Sequence, residues 1–505
     1  MALITIDIPP GFRSQGTQVQ ASGAWFTGNL VRWRQGLPEK MPGWLRLVAD
    51  PFKWFIRRMH AWLDLEDRRN LFVGTDAGLE LVVDDKRYLV VDGVVVPDPR
   101  KATWFLDNLG ENGLALTTHG RLLMYKPPPR DPPFPPPQMI TVTEAPLSSH
   151  GMFVAMPQAQ IIIWGTDGVI GEEGALDPLM IRWSDVGTEK IWIAAVGNQA
   201  GSYRLSRGSR IMGAIQAPQT TLIFTDMDVW SMSYIGPPLV YGFTIMGTGC
   251  GLIAPHAVAT LGRTTYWQGP KSIWQYGDSG VQPVVSTVHD YIFEDIDVDD
   301  IAKCHAGANS IGNEVTFYFP SRDDPYRKGT QEITDPQPTV LSNEPTHYVK
   351  YTTTEPAWDS GKLGRTAWIN QNIFGMPLGA DLNHRVQQHE RGFDDDDQPM
   401  RDVYLETGFS AIGDATYIPS VDQCQPDLKW FGKNGGVTLG FRTLSYASSR
   451  PISYGPFSMT ETTQFFNPRL RGRYISARFD WVARKGFSAR IGATKMQTKR
   501  AGRRP

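Results

Sequence analysis

The sequence predicts a mostly β chain: a β-propeller of six or seven blades with inserted loops or a small β domain. Helical periodicity is scarce, while short β-branched and aromatic runs recur every few tens of residues, each cut by Gly, Pro, Asp or Asn. One unit, an apolar strand followed by a small polar turn and a second strand, also repeats along the chain. Sixteen tryptophans supply large faces for sheet-to-sheet contact, with an indole N–H expected to find a polar partner.

The repeat is clearest at Leu71-Phe72-Val73-Gly74-Thr75-Asp76, at Ile161-Ile162-Ile163-Trp164-Gly165-Thr166-Asp167 and at Leu222-Ile223-Phe224-Thr225-Asp226, with a looser copy at Leu114 to Gly120. Further units centre on Tyr266-Trp267 to Gly280, on Val315 to Phe319 and on Ala367 to Gly375. Their spacing of roughly 40 to 60 residues suits propeller blades with insertions. Radially stacked sheets cover one another's faces and expose only short edges. The competing arrangement is two or three unrelated β-sandwiches.

The expected division is blades over 1–319, an exposed polar insertion at 320–346, and the remaining propeller or β region with a basic end over 347–505. Residues 127–137, PPPRDPPFPPP, hold eight prolines in eleven positions and read as a stiff polyproline II strap between blades. Asp394 to Asp397 read as a solvated acidic loop.

With 50 basic against 52 acidic residues, the chain is nearly neutral, which argues against a general polyanion binder. Charge is nonetheless segregated. Asp290, Glu294, Asp295, Asp297, Asp299 and Asp300 crowd one stretch, and Arg469, Arg471, Arg473, Arg500, Arg503 and Arg504 belong to a basic end. Opposite local signs fit subunits that dock on one another, or passing charge in a channel. Cys250, Cys304 and Cys424 are odd in number and far apart, which predicts a reducing compartment without disulfides. No run approaches the ~20 apolar residues of a membrane-spanning helix, and no secretory signal opens the chain. A soluble product of the cytoplasm is expected.

Catalytic patterns are incomplete. Gly277-Asp278-Ser279-Gly280 matches the core of a serine-nucleophile motif but lies between two strand-like runs, so it reads as a hairpin turn. Trp183 to Trp192 is similar to the Asp-box turn of sialidase propellers with both spacings broken, and reads as a polar turn between core tryptophans. His389-Glu390 lacks the second His of a zinc helix. Asp295, Asp297 and Asp299 have the alternate spacing of a calcium loop without its Gly or closing Glu. No Walker A loop or dinucleotide fingerprint occurs. The expectation is a non-enzyme with no cofactor and no metal. The alternative is a virion-associated propeller that binds or depolymerises glycans, since paired carboxylates are defined only in space.

Several strings, in consistent order from residue 29 to 504, resemble the tail hub or nozzle family of short-tailed phages, the packaged-DNA stabilisation or head-to-tail proteins. They are Asn29-Leu30-Val31-Arg32-Trp33 with Met41-Pro42-Gly43-Trp44, Arg182-Trp183-Ser184-Asp185 with Ile191-Trp192, Gly249-Cys250-Gly251-Leu252, Gln388-His389-Glu390-Arg391-Gly392, and Arg471-Gly472-Arg473 with Gly502-Arg503-Arg504. The region around 320–360 departs from it. The resemblance implies a bacteriophage structural protein: a homohexameric tail hub, assembled in the host cytoplasm, that continues the DNA exit channel below the portal and adaptor ring. Its partners would be its own copies, the portal and adaptor, other tail proteins, and double-stranded DNA passing during ejection without tight binding.

Overall fold

The computed structural model describes residues 2–93, 103–128, 136–170, 176–323, 343–412 and 418–500. Six four-stranded antiparallel sheets follow one another in chain order. Blade 1 runs from Ile56–Leu63 to Lys86–Asp92, blade 2 from Trp104–Leu109 to Met139–Thr141, and blade 3 from Gly151–Ala155 to Gly201–Arg204. Blade 4 runs from Ile211–Gln216 to Val240–Thr248, blade 5 from Val258–Leu261 to Gly280–Pro283, and blade 6 from His305–Asn309 to Ala357–Lys362. Blade 7 takes three strands from Ala367–Ile369, Leu378–Ala380 and Val386–His389, and its fourth from far upstream, Trp44–Arg46. The innermost strands touch in succession, and Ile56–Leu63 of blade 1 meets both Trp104–Leu109 and Ala367–Ile369, so the circle closes. The protein is a seven-bladed β-propeller, which settles the choice between six and seven.

Each of the seven units in the sequence falls in a different blade. Six mark a blade's second strand: Arg69–Thr75, Asn112–Thr117, Gln160–Asp167, Thr221–Thr225, Thr264–Gln268 and Glu314–Pro320. The seventh marks the first strand of blade 7. A second strand has neighbours on both edges and blades on both faces, so Gln160–Asp167 and Glu314–Pro320 are buried at every residue. Continuous apolar runs result, as in any sheet covered on two sides. The trailing Thr-Asp has its own cause. Thr75 and Thr225 accept from the backbone of Gly78 and Asp228 at 3.1 and 2.8 Å, closing the turn. The next Asp then ties down the entry to its blade: Asp167 accepts from Leu147 N at 2.6 Å and Asp226 from Ser209 N at 2.8 Å.

Tryptophans join neighbouring blades. The Trp104 indole of blade 2 donates to Thr75 O of blade 1 at 2.8 Å, and Trp368 of blade 7 donates to Ala308 O of blade 6 at 2.8 Å. Trp25, Trp33, Trp164 and Trp230 depart from the expected pattern, since their buried indole nitrogens have no hydrogen-bond partner. Apolar packing outweighs that loss there.

The acidic run is exposed or half-buried, as a solvated segment would be, but it is not a free loop. Asp394–Asp395 runs parallel beside the closing strand at Trp44, and Asp396 N donates to Trp44 O at 2.8 Å. The Trp44 indole donates to Asp395 Oδ1 at 2.6 Å, Asp396 pairs with Arg46, and Asp394 accepts from Gly486 N at 2.9 Å. The run is thus a clasp on the strand that closes the ring. Gly43 is required beside it, because an added Cβ would lie 2.2 Å from Asp394 O.

The expected division of the chain is corrected at its N-terminal end. Residues before Trp44 form no blade; they interleave with the C-terminal part in a second β domain. Its three sheets pair Ala2–Ile6 with Thr494–Arg500, Trp25–Asn29 with Tyr404–Thr407, and Leu37–Lys40 with Ser488–Ile491. Trp25, Trp33, Phe441, Phe479, Trp481 and Phe487 fill its interior, in one buried cluster with blades 5 and 6. The proline run also differs from expectation: it interrupts blade 2, between Leu123–Tyr125 and Met139–Thr141, and does not connect two blades. Its residues 129–135, and 324–342 of the polar insertion, lie outside the described residues. At the insertion's flanks Arg322 and Asp323 are exposed, while Ser321, Asn343 and Glu344 are buried.

Gly43→Ala is expected to lower the unfolding free energy by about 1–3 kcal/mol, the cost of overpacking against a backbone held on both sides. Gly168→Ala, where an added Cβ meets nothing within 4 Å, should leave the denaturant midpoint nearly unchanged.

Candidate functional site

Three strings that carry the resemblance meet at one place, the junction between the second domain and blades 6 and 7. Arg32, on the strand Val31–Arg34, donates to Glu314 of blade 6 at 2.8 and 2.6 Å and to Glu390, just after blade 7, at 2.8 and 2.6 Å. Gly43 bonds two successive residues in the same region, accepting from Arg391 N and donating through its own N to Gly392 O, both at 2.9 Å. Lys350, buried, stands 3.1 Å from Glu314 and 3.5 Å from Asp359 and donates to Val31 O at 2.9 Å. Asn29 Oδ1 accepts from Lys362 N at 2.7 Å, and the Tyr348 hydroxyl accepts from Leu30 N at 3.2 Å.

A planar guanidinium matches two carboxylates at once, which a lysine could not. Burial opposes charge at Glu314, yet Arg32 and Lys350 hold its carboxyl down at about 2. Asp359 goes the other way. Burial pushes it up to about 7, against the pull of Lys350 and with Glu314 adding to the rise, and neither carboxylate oxygen has a hydrogen-bond partner.

A second buried network lies at the axis, where the innermost strands begin. Arg57 of blade 1 donates to Asp76 and Glu344 at 2.9 Å each, and Lys303 donates to Glu344 at 2.8 Å. His256, ahead of blade 5, reaches across the axis to blade 2. Its Nε2 lies 2.9 Å from Thr103 Oγ1 and 3.0 Å from Trp104 O, and its ring packs on Phe105 at 5.0 Å. Burial and the nearby Arg58 keep that imidazole well below its ordinary pKa, hence neutral. The propeller's axial opening is therefore spanned by a side chain.

The charged residues singled out in the sequence separate into different environments. Asp297 accepts from Asn343 Nδ2 at 2.6 Å, and Asp300 accepts from Asn343 N at 2.8 Å and stands 3.2 Å from Lys303. At 4% and 2% exposure they cannot face another subunit; they are internal counter-charges fixing the return into blade 6. Asp290, Glu294, Asp295 and Asp299 are exposed or half-buried around the helix His289–Phe293. Arg469 and Arg471 are exposed on the second domain, and Arg473 lies 4.7 Å over the Tyr446 ring. Arg500 ends the strand Thr494–Arg500, while Arg503 and Arg504 lie outside the described residues. No contact joins the acidic stretch to Arg469, Arg471 or Arg473 within the described chain.

The incomplete catalytic patterns become structural elements. Gly277 pairs with Gly280 across a hairpin turn. His389 is held between Trp44 and Trp368 and accepts from Arg365 Nε at 2.9 Å. Trp192 folds back to donate to Glu189 O at 2.7 Å. Among the described residues no group of three or more His, Cys, Asp or Glu is placed to hold a metal, and no helix is long and apolar enough to cross a membrane.

Two surface features escaped sequence reasoning. The outer rim of blades 3 and 4 exposes Ile193, Val196, Tyr203, Tyr234, Ile235 and Leu239. The two blades meet there: the Tyr234 hydroxyl of blade 4 donates to Gln199 of blade 3 at 2.9 Å, and Tyr203 of blade 3 stacks on Phe243 of blade 4 at 4.3 Å. The length of the hairpin Asp228–Gly236 to Val240–Thr248, with Ile-Gly-Pro-Pro-Leu at its tip, is the signal that could have found it. The second feature is a cleft of about 330 Å³ between the outer edges of blades 5 and 6, roofed by Pro9 to Arg13 and lined by Pro283, Val285, Tyr351 and Trp358.

Arg32→Ala should cost about 3–5 kcal/mol in urea unfolding, because it strands buried carboxylates. For Asp359 the folded chain keeps a proton that the unfolded chain releases from about pH 3.8, so stability falls as pH rises towards 7. Asp359→Asn should therefore raise the urea midpoint more at pH 8 than at pH 5.

No family model matches the chain, and no curated protein matches it. Among solved structures it is similar to the β-propeller domain of Cps50 (Swd1) from Myceliophteria thermophila, at 8% identity and TM-score 0.38, covering 69% of this chain and 98% of that one. A chain of a mitotic checkpoint complex aligns at 9% identity and TM-score 0.37, covering 70% and 95%. PorZ of Porphyromonas gingivalis, a bacterial surface component of the type-IX secretion system, aligns at 8% identity and TM-score 0.36, covering 81% of this chain and 46% of that one.

Proposed function

We propose that this protein is a structural subunit that works by assembling, as a ring-shaped tail hub of a short-tailed phage. The observation that carries the assembly reading is the apolar rim of blades 3 and 4. Exposed apolar side chains grouped on two neighbouring blades cost solvation in a lone subunit and suit a protein-binding surface. A ring closes through head-to-tail contacts between unlike patches, so a rim patch on one side calls for a partner patch on another. The junction network supports the same reading, since it ties the second domain to blades 6 and 7, while the axial network ties blade 1 to blade 6. The resemblance of the strings at the junction adds the phage context.

In this reading DNA passes through the space enclosed by the ring and not along a propeller axis, which His256 spans. A lumen of that kind works best with weak phosphate contacts, because extensive neutralisation would slow passage.

Particle images of the purified chain should show a closed ring. Six copies of the 56.4 kDa chain would weigh about 338 kDa. Ile235→Asp with Leu239→Asp should reduce the assembly to single chains without lowering the unfolding midpoint, since both residues are exposed. Rings that persist unchanged in this variant would refute the rim as the contact, and a wild-type chain that stays monomeric would refute the assembly reading.

A further inference from the structure

We infer that the cleft between blades 5 and 6 receives the proline run Pro127 to Pro137 of a second copy, which straps neighbouring subunits together; the inference rests on the assembly reading above and gives it a specific contact. The cleft has the chemistry of a site for extended proline-rich chain. Its floor is aromatic: Trp358 and Tyr351 lie 4.8 Å apart at a tilt, and the Trp358 indole is held by Val285 O at 2.8 Å. Pro10 and Pro283 form its sides, and Val285 stands in it 86% exposed. Aromatic and proline-lined grooves suit polyproline II ligands, whose fixed backbone loses little entropy on docking. A volume of about 330 Å³ is at the small end of ligand pockets, enough for a short stretch of chain and not for a folded partner. Arg13 is the single charged residue along the lining, and the run, with Arg130 beside Asp131, carries no net charge to oppose docking there.

Topology selects the copy. The run leaves and re-enters blade 2 through Leu123–Tyr125 and Met139–Thr141, which pair with each other, and Arg68 holds Pro128 O at 2.6 Å. In a seven-bladed circle, blade 2 stands three steps from blade 5 one way and three steps from blade 6 the other, so the cleft lies directly across the ring. A loop of this length, anchored at both ends, reaches outward at most about 20 Å. Two four-stranded blades at ~4.8 Å strand spacing put the opposite outer edges more than ~30 Å apart. The run therefore cannot fill its own chain's cleft. Unlike patches on opposite sides of one subunit are what head-to-tail contact needs.

The test uses the full chain with residues 129–135 replaced by Gly and Ser, together with a synthetic peptide of residues 126–138. The replaced chain is expected to lose the ring in mass measurements and to bind the peptide saturably in calorimetry. Val285→Glu in that chain should weaken peptide binding at least tenfold while its unfolding midpoint stays put. Replaced chains that still form rings and ignore the peptide would overturn the strap while leaving the assembly reading intact. Peptide binding that Val285→Glu does not weaken would overturn the cleft as the site. A wild-type chain that stays monomeric, yet whose replaced form binds the peptide in a Val285-dependent way, would support recognition of the run and remove the ring.

Discussion

Closing the circle is the constraint on which the rest of this molecule depends. Seven sheets cover one another only if the last meets the first, and blade 7 does so with an outer strand taken from Trp44–Arg46. That choice brings the chain's opening residues to the place where the propeller ends, beside everything after residue 400. Two segments with unpaired strand edges are then held within reach of each other, and exposed edges invite pairing. The second domain follows: its sheets alternate strands from the two ends of the chain, so it is also a lock on the ring. The Asp394 to Asp396 clasp reinforces the borrowed strand, which at three residues has few ladder hydrogen bonds of its own.

The junction pairs a costly interaction with a specific one. Burying Arg32, Lys350, Glu314 and Glu390 removes four charges from water, and networks of this kind seldom add net stability over apolar packing. What they supply is register. Apolar faces alone could slide, whereas a guanidinium forked between carboxylates of two blades accepts one position. Asp359 marks the limit of the arrangement. Lys350 already serves Glu314, so a second acid beside it is left undercompensated and holds its proton to near neutral pH. The axial network of Arg57, Glu344 and Lys303 repeats the device between blades 1 and 6, where sheet-to-sheet packing is interrupted by the central opening.

How much of this was legible in the sequence follows from what each residue's neighbours are. Second strands were readable because burial on both faces makes them apolar throughout, and the Thr75 and Thr225 endings repeat because each hydroxyl closes its turn. The first forty residues read as more blade, since strand periodicity says nothing about which edge a strand joins. Asp297 and Asp300 read as docking or channel charge and the run at Asp394 as solvated charge, because a sequence shows charge density and not the Asn343, Lys303 or Trp44 that meets it. The strings Asn29 to Trp33 and Gln388 to Gly392 stood out without a visible reason; their link is the Arg32–Glu390 pair, separated along the chain and joined only by ring closure. The cleft was invisible for the same reason, since a surface composed by adjacent blades has no linear signature; the rim left one trace, the long blade 4 hairpin with its Ile-Gly-Pro-Pro-Leu tip.

Where function can reside is narrowed by how the interior is used. Propellers offer ligands an axial funnel, but here His256 bridges that opening and Phe105 packs beneath it, while Arg57 and Lys303 are engaged with their own carboxylates. Freeing any of these groups for a substrate would leave a partner buried and unpaired, a cost of several kcal/mol. The outer rim bears no such cost. Ile235, Leu239 and Val285 lose nothing by being covered, and covering them removes apolar surface from water. A molecule whose centre is saturated and whose circumference is not gains most from contact around its edge.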